Sequence, residues 1–496
     1  MTKQQLRILE LPVWEAADKI RNQEITSEEY VAATLARIRK VEPDVHAYIT
    51  LIEELALTQA QEIDKKIRRG GDLGRLAGLP VAIKDNICVR SFTTTCASKM
   101  LENFVTPYDA TVVERILGED GVIVGKTNLD EFAMGTSTEY SYFGATKNPW
   151  DTSKVPGGSS GGSAAAVSAL EAAFALGSDT GGSVRSPASF CCIVGLKPTY
   201  GAVSRYGLVS YANSLEQIGP FARDVRSCAL LTSVIAGYDA RDSTSSDKFP
   251  ADLGGASKRS PSKLTIGVPR EFFEEGVQEG VSKTVRDAVS RLEKAGVKLS
   301  FEDISLPMLK YALPAYYIIA MSEASSNLAR YDGIRYGYRA QDRTLDWGTI
   351  FSKDRGEGFG AEVRRRIMLG TYALSAGYFD QYYLKAQKIR TLLRREFDGA
   401  FKRFDLLLAP SMPILPFRLG EKMEDPLQLY MCDIETVPAN LTGIPSLSVP
   451  CGVSEGLPVG MQLMAPPFRE DLLFQAGRLV EDILPVDRSA GEFTHA

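Results

Sequence analysis

The sequence predicts an α/β protein with a buried sheet that is largely parallel or mixed. Two observations predict this class: short apolar runs recur beyond residue 78, and helical patterns separate several of them. The apolar runs are "LPVAI" (79–83), "GVIVG" (121–125), "AFALG" (173–177), "LTIGV" (264–268), "DLLLAP" (405–410), "SLSVPC" (446–451) and "VGMQLM" (459–464). The clearest helical patterns cover 284–296 and 382–404. Apolar strands that alternate with helices are typical of a sheet covered by helices.

The N-terminal region differs from the rest of the chain in its predicted secondary structure. Residues 1–65 are predicted to be helical and to pack on a single large domain over 66–496. Thr26 and Glu29 form a capping box before an apolar stripe, which indicates a helix start. The small residues of 163–177 suit a buried helix. The stretch 245–263 is rich in Gly, Pro and Ser and predicts a surface loop.

Composition excludes several classes of protein. The chain has 496 residues, 44% apolar and 24% charged, a net charge of −5 and a pI near 5.5. This acidic balance argues against a protein that binds nucleic acid by itself. No apolar run approaches the roughly 20 residues that span a bilayer, and the first residues do not resemble a signal peptide. Seven cysteines without a CxxC pair argue against a disulfide framework. We therefore expect a cytoplasmic protein with no membrane contact.

Histidine is scarce in this sequence. The two histidines are His46, in the N-terminal helical region, and His495, the second-to-last residue. A Ser-His-Asp hydrolase needs a well-held histidine, and a zinc enzyme with histidine ligands usually needs two or three. Both classes are disfavoured, and no metal site is expected.

One segment resembles a phosphate-binding loop but does not match it. In "GVIVGKTN" only three residues separate Gly121 from Gly125, whereas the phosphate-binding motif has four. The residues before Gly125 are strand-like. A core strand that runs into a loop is the better interpretation, and a nucleotide hydrolase is disfavoured.

Two segments rich in glycine and serine point to chemistry. They are "VPGGSSGGSAAA" (155–166) and "ALGSDTGGSVRSPASF" (175–190). Glycines in such numbers let the backbone bend sharply or approach a ligand closely. A serine is a poor nucleophile until a base removes its proton. With histidine scarce, lysine is the remaining common base, and burial lowers the pKa of a lysine by several units. Lys84 directly follows "LPVAI"; its neighbour Asp85 must then point elsewhere.

Three motifs, in this order along the chain, resemble the amidase signature family: "GLPVAIKDN", "GGSSGGSAAA" and "GSDTGGSVRSPA". The resemblance implies a mixed central sheet flanked by helices. It also implies a catalytic triad of Lys84, Ser159 behind a cis peptide bond, and the nucleophile Ser183. The backbone N–H groups of Thr180, Gly181, Gly182 and Ser183 are implied to face the oxyanion that develops during attack.

Other stretches resemble those family members that serve as the glutaminase subunit of tRNA-dependent amidotransferases. They include 126–151, 320–337, 358–383 and 433–452. The resemblance implies that glutamine is hydrolysed and that its ammonia passes to a partner B subunit, which converts Glu-tRNA(Gln), or also Asp-tRNA(Asn), to the amide. It further implies a small C subunit, no cofactor in this chain, ATP and Mg in the partner subunit, and only indirect contact with tRNA.

The same resemblance implies three residues that bind the substrate. Arg366 would pair with the α-carboxylate of glutamine, Asp433 with its α-ammonium, and Tyr317 would line the pocket. Two alternatives stay open for these positions: Arg365 in place of Arg366, and a helix-capping role for Asp433. Two alternatives also stay open for the function: a stand-alone amidase that acts on another carboxamide, and a purely structural subunit.

Overall fold

The computed structural model describes residues 1–249, 253–256, 263–274, 276–295, 299–341, 344 and 346–487. Within these residues, eleven strands form one mixed sheet in the order β1-β3-β2-β4-β6-β5-β10-β11-β9-β7-β8. The strands are β1 Tyr48–Leu51, β2 Pro80–Lys84, β3 Val122–Thr127, β4 Phe174–Asp179, β5 Val194–Lys197, β6 Gln217–Ala222, β7 Leu264–Pro269, β8 Leu299–Ile304, β9 Leu406–Pro410, β10 Ser446–Ser454 and β11 Leu457–Met464.

Both parallel and antiparallel pairs contribute to the sheet. β2 runs parallel to β3 and to β4, and β7 runs parallel to β8 and β9. The remaining pairs are antiparallel, including the pairing of β4 with β6 across Phe174 and Ala222. All residues of β2, β3, β4 and β6 are buried. The predicted fold class is therefore confirmed, and the sheet is mixed rather than largely parallel.

Helices cover the sheet. They are α1 Lys3–Glu10, α2 Val13–Arg21, α3 Ser27–Val45, α4 Glu53–Arg68, α5 Thr111–Gly118, α6 Gly161–Ser168, α7 Arg185–Phe190, α8 Val225–Ile235, α9 Leu253–Ala256, α10 Glu279–Lys294, α11 Ala312–Asn327, α12 Trp347–Gly358, α13 Ala361–Leu374, α14 Lys385–Ala400, α15 Pro426–Met431, α16 Val437–Thr442 and α17 Glu470–Ile483. Within the described ranges, no helix is long and apolar enough to cross a membrane.

The N-terminal region contributes a strand as well as helices. The capping box is present, and Thr26 accepts a hydrogen bond from the N–H of Glu29 at 3.0 Å. The prediction that 1–65 is helical is wrong at β1, which pairs antiparallel with β3 at the edge of the sheet. Only four residues form β1, and its pairing partner lies far along the chain, so a local pattern could not reveal it. The proposed boundary at residue 65 falls inside α4.

Elsewhere the predicted runs correspond to strands and helices with shifted ends. The pattern at 284–296 belongs to α10, which begins earlier. The pattern at 382–404 belongs mostly to α14, which follows a π-helix over Asp380–Leu384. The buried small-residue helix is α6, which ends at Ser168. The predicted surface loop at 245–263 lies partly outside the described residues. His495 lies entirely outside them.

Close packing of α6 against the sheet brings the two glycine-rich segments together. Helix α6 begins within the first segment and contacts β4, whose residues begin the second segment. A Cβ atom on Gly162 would lie 2.4 Å from the carbonyl oxygen of Ala47 and 2.6 Å from the backbone nitrogen of Asn128. Only a residue without a side chain fits this approach.

Candidate active site

Lys84 ends β2 with its side chain fully buried. Its Nζ donates hydrogen bonds to Ser159 Oγ at 2.8 Å, to Ser160 Oγ at 2.8 Å and to Ser178 Oγ at 3.0 Å. Burial lowers the pKa of Lys84 to about 7, because desolvation disfavours the charged ammonium. A lysine with this pKa is substantially neutral near pH 7, as a general base must be.

Asp85 points away from Lys84, as expected. Its carboxylate forms a buried ion pair with Lys126 at 2.7 Å and accepts a hydrogen bond from the N–H of Thr95 at 2.9 Å. Lys126 is a buried residue of β3, so the segment that resembles a phosphate-binding loop is a core strand. That interpretation of the sequence is confirmed.

The loop that carries Ser159 is held tightly by its surroundings. The peptide bond between Gly158 and Ser159 is cis, as the resemblance implied. A Cβ on Gly158 would lie 2.2 Å from Asp130 Oδ2. The same Asp130 oxygen accepts from the N–H of Thr138 at 2.9 Å, and the N–H of Asp130 donates to the carbonyl of Ser159 at 3.2 Å. These contacts fix Ser159 beside Lys84.

The second glycine-rich segment is a tight turn between β4 and α7. The Asp179 carboxylate lies inside the turn, where it accepts from the N–H of Gly182 at 2.9 Å and of Val184 at 3.1 Å. It also pairs with Arg185 at 3.0 Å. Burial alone would raise the pKa of Asp179, but Arg185, with smaller contributions from Lys197 and Asn440, outweighs burial and lowers the pKa to about 2. Asp179 therefore stays ionised and holds the turn in shape.

The glycines of this turn are required by their neighbours. A Cβ on Gly181 would lie 2.3 Å from the hydroxyl oxygen of Tyr316. Gly182 has a φ of +138°, and a Cβ there would lie 2.4 Å from Thr436 Oγ1. A side chain at either position would therefore displace the turn.

Ser183 lies at the end of the turn and is 7% exposed. Its carbonyl accepts a hydrogen bond from the N–H of Ser160 at 3.2 Å, which joins the two glycine-rich segments. The nucleophile, the intermediate serine and the lysine of the predicted triad thus come from adjoining segments. Of the four N–H groups predicted to face the oxyanion, that of Gly182 donates to Asp179 instead. The oxyanion site stays a prediction for Thr180, Gly181 and Ser183.

Arg366, on α13, is 3% exposed and lies among tyrosine rings. Its Nε donates to Glu362 Oε1 at 2.7 Å and its Nη1 to the hydroxyl of Tyr211 at 2.8 Å. The guanidinium carbon lies 5.1–5.7 Å from three ring centroids: Tyr211, Tyr317 and Tyr430. The side chain of Arg365 is 41% exposed. Of the two candidates, Arg366 is the one in the buried site.

Asp433 lies between α15 and α16 and is buried. Its Oδ2 accepts from the hydroxyl of Tyr317 at 2.6 Å, and its Oδ1 from Thr136 Oγ1 at 3.1 Å. The N-cap of α16 is Thr436, so the carboxylate of Asp433 does not cap that helix. Burial raises the pKa of Asp433 to about 7 and outweighs the hydroxyl of Tyr317 and the charge of Arg366, which both lower it, because desolvation disfavours a charged carboxylate.

The Asp433 segment also contacts the turn that carries the nucleophile. Thr436 Oγ1 donates to the carbonyl of Gly181 at 2.5 Å. Tyr316, whose hydroxyl lies over Gly181, is the chain neighbour of Tyr317, and the two rings are 5.0 Å apart. The buried guanidinium, the buried carboxylate and the serine turn therefore form one continuous site.

Sequence reasoning missed several residues that build this site. Glu362 precedes Arg366 by one helical turn, and that spacing of opposite charges could have indicated the pair. Tyr430 donates to Glu362 Oε1 at 2.7 Å. Nothing local to Tyr211 or Tyr430 indicates that they surround the arginine. The described residues contain no group of three or more His, Cys, Asp or Glu side chains that could hold a metal ion.

This fold, with its lysine and two glycine-rich serine segments, defines a serine amidase of the amidase signature type. The family model Amidase matches residues 29–474, and the chain belongs to that family.

Individual members of the family are similar to this chain over nearly its whole length. The A subunit of glutamyl-tRNA(Gln) amidotransferase from Carboxydothermus hydrogenoformans is 56% identical over 467 residues, which cover 94% of this chain and 96% of the relative. The protein of the same name from Methanosarcina mazei is 56% identical over 471 residues, covering 95% and 96% of the two chains. The crystal structure of the A subunit of glutamyl-tRNA(Gln) amidotransferase from Thermotoga maritima matches with a TM-score of 0.80 and 40% identity, covering 98% of this chain and 97% of that chain.

Proposed function

We propose that this chain is the glutaminase subunit of a tRNA-dependent amidotransferase. The observation that carries the proposal is that Arg366 and Asp433 both lie beside Tyr317, next to the serine turn: the guanidinium carbon is 5.4 Å from the Tyr317 ring centroid, and the Tyr317 hydroxyl donates to Asp433 at 2.6 Å. Glutamine presents an α-carboxylate and an α-ammonium, which need a cation and an anion as partners. A simple aliphatic amide needs neither. The high identity to relatives that bear the amidotransferase name supports the same function.

The proposed reaction uses only residues of this chain. Neutral Lys84 takes the proton of Ser159, and Ser159 takes the proton of Ser183. The Oγ of Ser183 forms a bond to the carboxamide carbon, and the resulting oxyanion accepts hydrogen bonds from the N–H groups of Thr180, Gly181 and Ser183. The C–N bond then breaks, and the leaving nitrogen takes a proton back from the lysine through Ser159. Water hydrolyses the γ-glutamyl ester on Ser183, and glutamate leaves.

The ammonia is proposed to pass to a B subunit that binds the aminoacyl-tRNA and uses ATP with Mg, with a small C subunit completing the complex. The net charge of −5 supports this division of labour, because a chain that held tRNA by itself would be expected to be basic. In this scheme the chain itself has no cofactor, contacts tRNA only indirectly and works in the cytoplasm.

The experiment reconstitutes the chain with B and C subunits from the same source and supplies Glu-tRNA(Gln) or Asp-tRNA(Asn). Amide formation is measured with glutamine and separately with ammonium chloride as nitrogen donor. We expect both donors to work, and we expect the isolated chain to hydrolyse glutamine more slowly than the complex, because assembly completes the productive pocket.

Two results would contradict the proposal. Fast turnover of unrelated amides without stimulation by the partners would identify a stand-alone amidase. An absence of hydrolysis in both the isolated chain and the assembled complex would identify a structural subunit.

A further inference from the structure

The hydrogen-bond partners of Lys84 are all uncharged. Among the described residues, its Nζ donates to the hydroxyls of Ser159, Ser160 and Ser178 and, at 3.5 Å, to the carbonyl of Ser178. An amine nitrogen has three positions besides its bond to carbon. A neutral lysine fills two of them with hydrogens and keeps a lone pair in the third. Which hydroxyl faces the lone pair decides whether the lysine acts as a base toward Ser159.

Ser160 cannot face the lone pair as a donor. Its Oγ donates its single hydrogen to the carbonyl of Ser178 at 3.2 Å and accepts from the N–H of Ser178 at 3.3 Å. A hydroxyl has one hydrogen and two lone pairs, so the remaining lone pair of Ser160 accepts from Lys84. One hydrogen of the neutral lysine is therefore committed to Ser160.

Ser178 is held by Asn86, a residue that the proposed reaction does not use. Asn86 Nδ2 donates to Ser178 Oγ at 3.0 Å, and both residues are 2% exposed. The Oδ1 atom of Asn86 is buried and has no hydrogen-bond partner among the described residues. An unpaired buried carbonyl oxygen is destabilising, and its presence here indicates that this amide has a role other than stability.

The preceding residue shows what a carboxylate requires in this environment. Asp85 is fully buried and is paired with its own lysine, Lys126, at 2.7 Å. Asn86, by contrast, faces the site of Lys84 with an amide that carries no charge. A carboxylate at position 86 would offer Lys84 a nearby anion and favour its protonated form.

We propose that Asn86 is a positioning residue for the general base: acting through Ser178, it keeps Lys84 among uncharged acceptors, so that the second hydrogen of the neutral amine points to Ser178 and its lone pair to Ser159. The inference rests on the proposed function, in which Lys84 is the base. It adds a residue that the triad does not include.

Other ionisable groups act on Lys84 from further away. They are Asp130, Asp179, Cys96 and Glu216, each of which favours the ammonium, while burial opposes it and prevails. Arg185 pairs with Asp179, and backbone N–H groups donate to Asp130 and Glu216. Position 86 is closer to the lysine in the hydrogen-bond network than any of these groups, since one hydroxyl separates the two side chains.

The test measures kcat and KM for glutamine against pH in the reconstituted complex, with Asn86→Asp and Asn86→Ala. In Asn86→Asp we expect the acidic limb of kcat to move to higher pH by about one unit, with a loss of kcat of about fivefold at the wild-type midpoint that approaches about tenfold at lower pH. In Asn86→Ala we expect a several-fold lower kcat without this displacement. KM should not change in either variant, because the glutamine clamp, by which we mean Arg366 and Asp433, is untouched. Asn103→Asp, on an exposed residue, controls for the added charge.

Outcomes for this inference and for the proposed function are distinguishable. A wild-type complex without glutaminase activity contradicts the proposed function. An active wild type and a folded Asn86→Asp with an unchanged acidic limb overturn the role of Asn86.

Because a buried substitution can prevent folding, Ser178→Ala and Ser178→Thr provide a second comparison. We measure the pH-dependent rate at which an aryl sulfonyl fluoride modifies Ser183, since this step also needs the base but not the glutamine clamp. Slower modification in Ser178→Ala, with recovery in Ser178→Thr, supports the inference. Equal rates in all three proteins contradict it.

Discussion

Lys84 and Asp85 are neighbours in the chain, yet their side chains enter separate hydrogen-bond networks. Among the described residues, the hydrogen bonds of the Lys84 Nζ go to serine oxygens, whereas Asp85 forms a buried ion pair with Lys126 at 2.7 Å. Successive side chains of a strand point to opposite faces of the sheet, and Asp85 immediately follows the last residue of β2. The chain can thus bury a lysine next to an aspartate without pairing them, which leaves the lysine free to lose its proton.

The first prediction concerns this base. Lys84→Arg should be nearly as damaging as Lys84→Ala, because a guanidinium stays protonated and cannot accept a proton. We expect kcat to fall by about 10²–10⁴-fold in both variants. In the wild type, kcat should fall as pH drops below about 7, where the pKa of Lys84 lies and the lysine takes up a proton. Steady-state glutamine hydrolysis against pH measures both effects. His46→Ala is the control. A large loss of kcat in His46→Ala together with a small loss in Lys84→Ala would contradict the Ser-Lys scheme.

The second prediction concerns the nucleophile. Ser183→Ala should lower glutamine hydrolysis by at least about 10³-fold and leave the fold intact, since Asp179 and the glycines hold the turn. Ser186→Ala is a matched control: Ser186 is buried three residues further on, and within the part of the chain that the structure describes its hydroxyl has no hydrogen-bond partner. Activity is measured as ammonia release, and folding by thermal unfolding. Substantial activity in a folded Ser183→Ala would rule out its role.

How much of this site the sequence could predict depends on how local its signals are. Ser159 and Ser183 belong to segments in which glycines and serines cluster over a few residues, Lys84 directly follows an apolar run, and the structure brings these motifs together. Strands with continuous apolar runs, such as β2 and β9, were also predictable. Strands β5, β6 and β8 were not predicted, and neither was β1.

The parts of the site that the sequence did not predict depend on contacts between residues that are distant along the chain. The hydroxyl of Tyr211 meets Arg366 across 155 residues, and Thr436 meets Gly181 across 255. Neither tyrosine nor threonine carries a local sign of such a partner. The network of Asn86, Ser178 and Lys84 likewise joins strand ends whose adjacency only the sheet order reveals.

The third prediction compares two adjacent arginines. Arg366→Ala should raise KM for glutamine strongly, because a paired guanidinium that receives the α-carboxylate is lost. Arg365→Ala should change KM little, since its side chain is 41% exposed. Both lose an ion pair with Glu362, so the comparison separates substrate binding from the shared contact. Glutamine titrations of the two variants measure it, and equal effects would mean that the cluster supports structure alone.

The fourth prediction concerns the buried ion pair that shapes the serine turn. Arg185→Ala would leave the buried Asp179 carboxylate without the guanidinium that pairs with it, which typically costs about 3–5 kcal/mol. The double variant Asp179→Asn with Arg185→Ala should recover part of this loss, because the uncompensated charge is gone. Denaturant unfolding of the wild type and the variants measures the free energy of unfolding. Additive losses in the double variant would contradict the coupling.

The last prediction separates the glutamine clamp from the remainder of the pathway. Asp433→Asn should raise KM for glutamine, because an amide cannot balance the α-ammonium, while amide formation from ammonium chloride should stay near the wild-type rate. In the wild type the pKa of Asp433 is raised to about 7. The carboxyl group is therefore charged above that pH and neutral below it, so KM should rise as pH falls below 7. Asp433→Asn should lack this rise, whereas the fall of kcat that Lys84 causes should remain.

The two nitrogen donors and the two kinetic constants thus distinguish the titration of Lys84 from that of Asp433. Tyr317→Phe removes the hydroxyl that donates to Asp433 at 2.6 Å and keeps the ring. Loss of a hydrogen bond to the charged form raises the pKa of a carboxyl group, so the rise of KM should begin at higher pH in this variant. Equal loss with glutamine and ammonium in Asp433→Asn would mean that Asp433 supports assembly of the complex rather than binding of glutamine.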